Sequence, residues 1–131
     1  MMKMLKVLGI VLLLGGLGHT VGIARLYLTS GVPDSDRVIV DLFLAEAQLL
    51  AGGLYLVASR SAGSPTAWRR LAAFGAFGAI GFALPSFVLL YSRAPAFFIA
   101  APAAYLVASV FILVRLSSSR TEPTEPAAKV G

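Results

Sequence analysis

The chain has 131 residues, a net charge of +5 and no cysteine. It is 58% hydrophobic and 13% charged, with a mean hydropathy of +0.86, and a soluble domain of this size has too high a surface-to-volume ratio to hide so much apolar surface. The missing cysteines exclude disulfides, thiolate metal sites and thiol redox chemistry. The basic balance comes without aromatic–basic interleaving, so it points to a membrane surface and not to nucleic acid.

Four stretches have the roughly 20 mostly apolar residues that a bilayer core requires. The first covers 7–28, after Lys3 and Lys6, and residues 7–24 carry no group charged at neutral pH. The turn-forming stretch 30–36, which contains Gly31 and Pro33, separates it from the second, 38–59. That second stretch is the least apolar, because it holds Asp41, Glu46 and Gln48. The third covers 71–91, with Trp68 and Tyr91 where an aromatic belt belongs. The fourth covers 96–116. The tail 117–131 is rich in Ser, Thr, Pro and Glu, repeats Thr-Glu-Pro at 121–123 and 124–126, and reads as disordered.

In lipid every backbone N–H and C=O needs an internal partner, and four spans are too few for a closed barrel, so the spans are helices. The expected fold is all-α: a four-helix transmembrane bundle over 1–116, antiparallel and up-down. With the N-terminus in the cytoplasm, Lys3, Lys6, Arg60, Arg69, Arg70, Arg115, Arg120 and Lys129 lie inside, and Arg25, Arg37 and Arg93 outside. That bias places both termini in the cytoplasm. A rival reading takes residues 1–24 as a signal peptide, with Gly22-Ile23-Ala24 as the cleavage site, which would remove His19 and leave three spans.

Small residues are dense in the spans. Gly18 and Gly22 form a GxxxG pair in the first, alongside Gly9, Gly15 and Gly16; Gly52 and Gly53 lie in the second. Gly75, Gly78 and Gly81 lie in the third with Ala72, Ala76 and Ala79 close in phase, and Ala96, Ala100, Ala104 and Ala108 recur every four residues in the fourth. Small residues let helices approach closely in lipid. They imply packing inside the bundle, or a surplus face that docks on a second copy or a foreign subunit.

The polar groups within the spans are His19, Arg25, Asp41, Glu46 and Gln48. In an antiparallel hairpin turning at 30–36, His19 falls level with Glu46, roughly 13 Å from the outer end, and Arg25 falls level with Asp41. The phases differ by about 120° from His19 to Arg25 and about 140° from Asp41 to Glu46, so both pairs do not fit the centre of one interface, whereas Gln48 shares the face of Asp41. The His19–Glu46 pair is either a proton relay or ligand site, or a structural contact. Pro85 and Pro102 sit at one depth in the outer half, where kinked helices with Ser86 and Tyr105 nearby would open a small cavity.

No GxGxxG, P-loop, HExxH or serine elbow is present. The single His, with Glu46 and Asp41 as its plausible companions, falls short of a zinc set. No metal and no cofactor is expected.

The Gly-rich first helix leading to His19 (Gly15-Gly16-Leu17-Gly18-His19) and the second helix closing on Leu49-Leu50-Ala51-Gly52-Gly53-Leu54-Tyr55-Leu56 resemble the small four-helix bacterial membrane proteins of the DoxX-like kind. The likeness covers 1–116 by topology. It implies a location in the bacterial cytoplasmic membrane and, in some members, association with quinone-linked or redox-stress systems; no catalytic residue carries over. The function expected is that of a non-enzymatic accessory or interaction subunit in the lipid bilayer, as a homo-oligomer or within a larger complex. The alternatives are a small oligomeric transporter or proton-relay protein using His19 and Glu46, and a quinone-linked redox protein.

Overall fold

A computed structural model describes residues 1–90 and 96–118, with side chains for 1–88 and 100–118. Tyr91, Arg93, the Ala96 side chain and the Thr-Glu-Pro repeats lie outside the described residues. The elements are four helices in chain order, α1 (Met2–Ser30), α2 (Ser35–Arg60), α3 (Pro65–Leu90) and α4 (Ala96–Ser118). All four are long and apolar enough to cross a membrane.

The helices outrun their apolar stretches because capping, not hydrophobicity, decides where the backbone ladder stops. At α2 the Asp34 carboxylate accepts from the Arg37 N–H at 2.9 Å, satisfying a donor of the first turn. At α3, Pro65 occupies the first helical position, where its fixed φ suits the helix and its missing N–H costs nothing. At the end of α1, Gly31 takes φ 85° and its N–H reaches the Tyr27 carbonyl at 3.1 Å, a positive φ that favours glycine. The disordered tail was expected to begin at Ser117. Instead α4 continues through Ser118, and the Ser117 and Ser118 hydroxyls donate to the Val114 carbonyl at 2.8 and 2.9 Å.

Each helix packs on its neighbours in the chain. The approach of α1 to α2 is closest at Gly9 and Gly52. A Cβ on either glycine would sit 2.9 Å from the carbonyl oxygen of the other, so the two backbones touch where side chains would hold them apart. Farther along, Gly16 faces Leu49 as Gly9 faces Leu56, so α1 and α2 run in opposite directions. Gly75 of α3 accommodates the Tyr55 ring and Gly78 lies against Ala51. The Phe82 and Tyr105 rings meet across α3 and α4 with centroids 6.0 Å apart.

The core is built from small residues of α2 and α3 (Ala51, Ala58, Ala72, Ala76, Ala79) closed by Leu5, Leu12, Tyr55 and Ile112. Large apolar side chains such as Leu28, Val88 and Val107 point outward. A surface of this kind suits hydrocarbon and would aggregate in water.

Candidate functional site

Asp41, Gln48 and Tyr55 recur at seven-residue spacing on α2. Seven residues fall about 20° short of two full turns, so the three form one line with steps of about 10.5 Å. All three are buried, at 7%, 5% and 1% exposure, and each has a polar partner. The Tyr27 hydroxyl of α1 donates to Asp41 Oδ2 at 2.8 Å, and Arg37 Nε donates to both carboxylate oxygens at 3.1 Å. Gln48 lies beside the Tyr105 hydroxyl of α4, both lining the notch at Gly15. The Tyr55 hydroxyl pairs with the Ser109 hydroxyl of α4 at 3.1 Å. A polar ladder thus runs down the inward face of α2 and ties it to α1 at the top rung and to α4 at the lower two.

The ladder exists because α2 is the most polar span yet lies among the other helices. Its buried positions, Asp41, Leu44, Ala45, Gln48, Ala51, Gly52, Tyr55 and Ala58, follow three- and four-residue spacing. A buried polar group costs stability unless it is hydrogen-bonded, and the partners stand where this stripe meets α1 and α4.

The expected pairs are rearranged. The contacts of Gly9 with Leu56 and Gly16 with Leu49 put His19 level with Glu46, as the hairpin argument requires. Glu46, however, is exposed, turned about 100° from the buried Ala45, and no hydrogen bond joins it to His19. His19 is half-buried. Arg25 is exposed and does not pair with Asp41, whose ion pair is with Arg37 one turn away on the same helix. Depth was set by chain geometry; partner choice was set by phase. Gln48 does share the Asp41 face.

Ser86, Pro102 and Tyr105 lie where α3 meets α4, and the outer rim of that region, side chains 89–99, lies outside the described residues. Ser86 is buried with its hydroxyl donating to the Phe82 carbonyl at 2.7 Å, one residue from the Gly81 carbonyl that Pro85 deprives of its usual donor. Pro102 is buried, Pro85 is partly buried, and the Phe82 ring fills the space beside Tyr105.

The small residues divide. Gly75 and Gly78 serve packing inside the bundle. Gly18 and Gly22 do not: both are exposed and a Cβ on either would meet nothing within 4 Å. Ala100 and Ala104 are exposed as well, because the inward face of α4 is Pro102, Ser109, Ile112 and Leu116. Gly15 sits against the Gln48 amide, and a Cβ there would lie 3.6 Å from the Tyr105 hydroxyl. Gly18 and Gly22 continue that stripe of α1 at offsets of about 60° and 20°.

Tyr27, Arg37, Tyr55 and Ser109 join the site beyond the polar groups expected from the sequence. Two had a legible signal: Arg37 precedes Asp41 by four residues, the spacing of a helical ion pair, and Tyr55 extends the Asp41–Gln48 step by another seven. Tyr27 and Ser109 had none, since each depends on how a second helix is rotated.

No protein-family model, curated protein or solved structure matches the chain. Fold and site together define its class, an all-α protein of four membrane-length helices with a buried polar ladder.

Proposed function

We propose that the chain is a polytopic integral membrane protein of a bacterial cytoplasmic membrane, of up-down topology with both termini in the cytoplasm. It acts as a non-enzymatic accessory subunit that docks on a second copy or a larger membrane complex through small-residue faces of α1 and α4. The observation carrying this reading is that Gly18 and Gly22 have nothing within 4 Å of a Cβ position, while Gly9, Gly16, Gly52 and Gly75 are in tight contact. A glycine in a helix costs about 1 kcal/mol against alanine, and a lipid-facing position gains nothing from it, whereas a docked helix gains close backbone approach. Ala100 and Ala104 of α4 are exposed small residues as well. The orientation is supported by Lys3, Lys6, Arg60, Arg69, Arg70 and Arg115, which all fall at the helix ends marked by the N-terminus, the α2–α3 connection and the end of α4. The DoxX-like resemblance belongs to this same reading.

The test is native mass spectrometry on protein released gently from its own membrane. A second protein mass is expected, and Gly18→Leu or Ala104→Leu should abolish it while His19→Ala leaves it. A stable lone monomer would remove the reading. One observation favours a second reading, a small transporter or proton relay: Asp41 is a buried carboxylate within a membrane-length helix. On that reading Asp41→Asn abolishes pH-dependent flux in liposomes and Glu46→Gln does not.

A further inference from the structure

The acidic groups among the described residues are confined to one end of the helices, where Arg25 and Arg37 also lie, while the other end carries basic groups alone. Lys3, Lys6, Arg60, Arg69, Arg70 and Arg115 share one end, and the acidic groups among the described residues, Asp34, Asp36, Asp41 and Glu46, lie in the opposite half of α2 and the turn before it. At the basic end a groove of about 540 Å³ opens between α3 and α4, within the size range of small-ligand sites. Thr66, Arg69 and Arg70 stand where α3 begins; Phe74, Phe77 and Leu113 line it farther along. The step from Arg70 to Phe77 is seven residues, about 10 Å of helix. Among the described residues no acidic side chain lines the groove.

We propose that this groove holds an anionic phospholipid, with its phosphate on Arg69 and Arg70 and one acyl chain along Phe74, Phe77 and Leu113. Guanidinium groups match phosphate oxygens in a two-pronged geometry. The Arg69 guanidinium lies over the Trp68 ring at 5.8 Å, which steadies it at the depth where indoles settle in bilayers. Phe74 and Phe77 are 64% and 62% exposed, a surface that a lipid tail covers without desolvation cost. A zwitterionic lipid offers the same phosphate but brings a cation against the positive charge of Arg69 and Arg70. A second copy docked through this face would set like charges against like.

The protein in detergent is titrated with phosphatidylglycerol and with phosphatidylcholine of identical chains, and bound lipid is read by native mass spectrometry. Phosphatidylglycerol is expected to bind roughly tenfold more tightly, with Arg69→Gln/Arg70→Gln abolishing the preference. Lys3→Gln/Lys6→Gln removes the same charge from the same end outside the groove and should keep most of it. Equal loss in both double variants would reduce the effect to a diffuse field and overturn the site, as would a second protein mass held on the groove in place of lipid. An independent readout leaves both arginines intact. Trp68 is the single tryptophan, so Trp68→Phe/Phe77→Trp moves the emitter into the groove. Phosphatidylglycerol with brominated chains should quench it at a lower mole fraction than brominated phosphatidylcholine, and equal quenching would refute the proposal.

Discussion

The hydroxyl of Tyr55 lies 3.1 Å from that of Ser109 in the interior of the bundle, joining helices that are not neighbours in the chain. The Tyr55 ring also fills the notch left by Gly75, where a Cβ would come within 2.8 Å of Tyr55 Cδ1. One side chain on α2 therefore meets both α3 and α4, and its two roles can be separated.

Tyr55→Phe keeps the ring and removes the hydroxyl, and should cost about 1 kcal/mol, the usual range for a hydrogen bond between membrane helices. Tyr55→Ala also removes the packing and should cost about 3–5 kcal/mol. Unfolding by SDS in mixed micelles measures both. The double variant Tyr55→Phe/Ser109→Ala should be clearly less than additive, because either change alone already breaks the bond; additive costs would show that the pair is not coupled.

Gly52→Ala should destabilise by about 1–3 kcal/mol, since the added methyl would press on the α1 backbone at Gly9 and Leu13. Its neighbour Gly53 has open space at the Cβ position, so Gly53→Ala should leave stability unchanged or raise it by up to about 1 kcal/mol from helix propensity. Thermal melts of the two variants side by side check the close approach of α1 to α2.

Asp41 and Glu46 are both acidic residues of α2, yet they should respond differently. Asp41→Leu leaves the Tyr27 hydroxyl and the Arg37 guanidinium without their acceptor and should cost about 1–3 kcal/mol. Glu46→Leu alters an exposed position and should stay within about 0.5 kcal/mol. Equal effects would contradict the inward placement of Asp41.

Gly15→Leu and Gly18→Leu place the same side chain three residues apart on α1. The first collides with the Gln48 amide and should lower the melting temperature of the isolated protein. The second enters open space and should leave melting unchanged while weakening association with a partner. Melting and co-purification measured on both variants therefore distinguish internal packing from docking.

The helices were legible because their signal is local: an apolar run of sufficient length must close its own backbone hydrogen bonds in lipid. The level pairing of His19 with Glu46 was legible too, since a short turn fixes depth. Rotation about each helix axis was not. It places Glu46 outside and Asp41 inside, exposes Gly18 and Gly22, and brings Tyr105 to Gln48. Rotation is decided by where small residues let backbones touch, at Gly9 with Gly52 and at Gly75 with Tyr55, and glycines that make such contacts look the same in sequence as those that do not. The groove at Arg69 and Arg70 was hidden for a related reason, because it needs α4 beside α3.

The ladder also has an order in time. A ribosome delivers α2 after α1, so Asp41 can meet Tyr27 and Arg37 as soon as the first two helices are made. Gln48 and Tyr55 must wait for Tyr105 and Ser109, which are synthesised last. A nascent chain halted after α3 would hold a tyrosine hydroxyl and a glutamine amide in hydrocarbon without those partners. Arrival of the fourth helix is thus the step that completes assembly, and a chain truncated before it offers quality control two exposed polar groups to recognise.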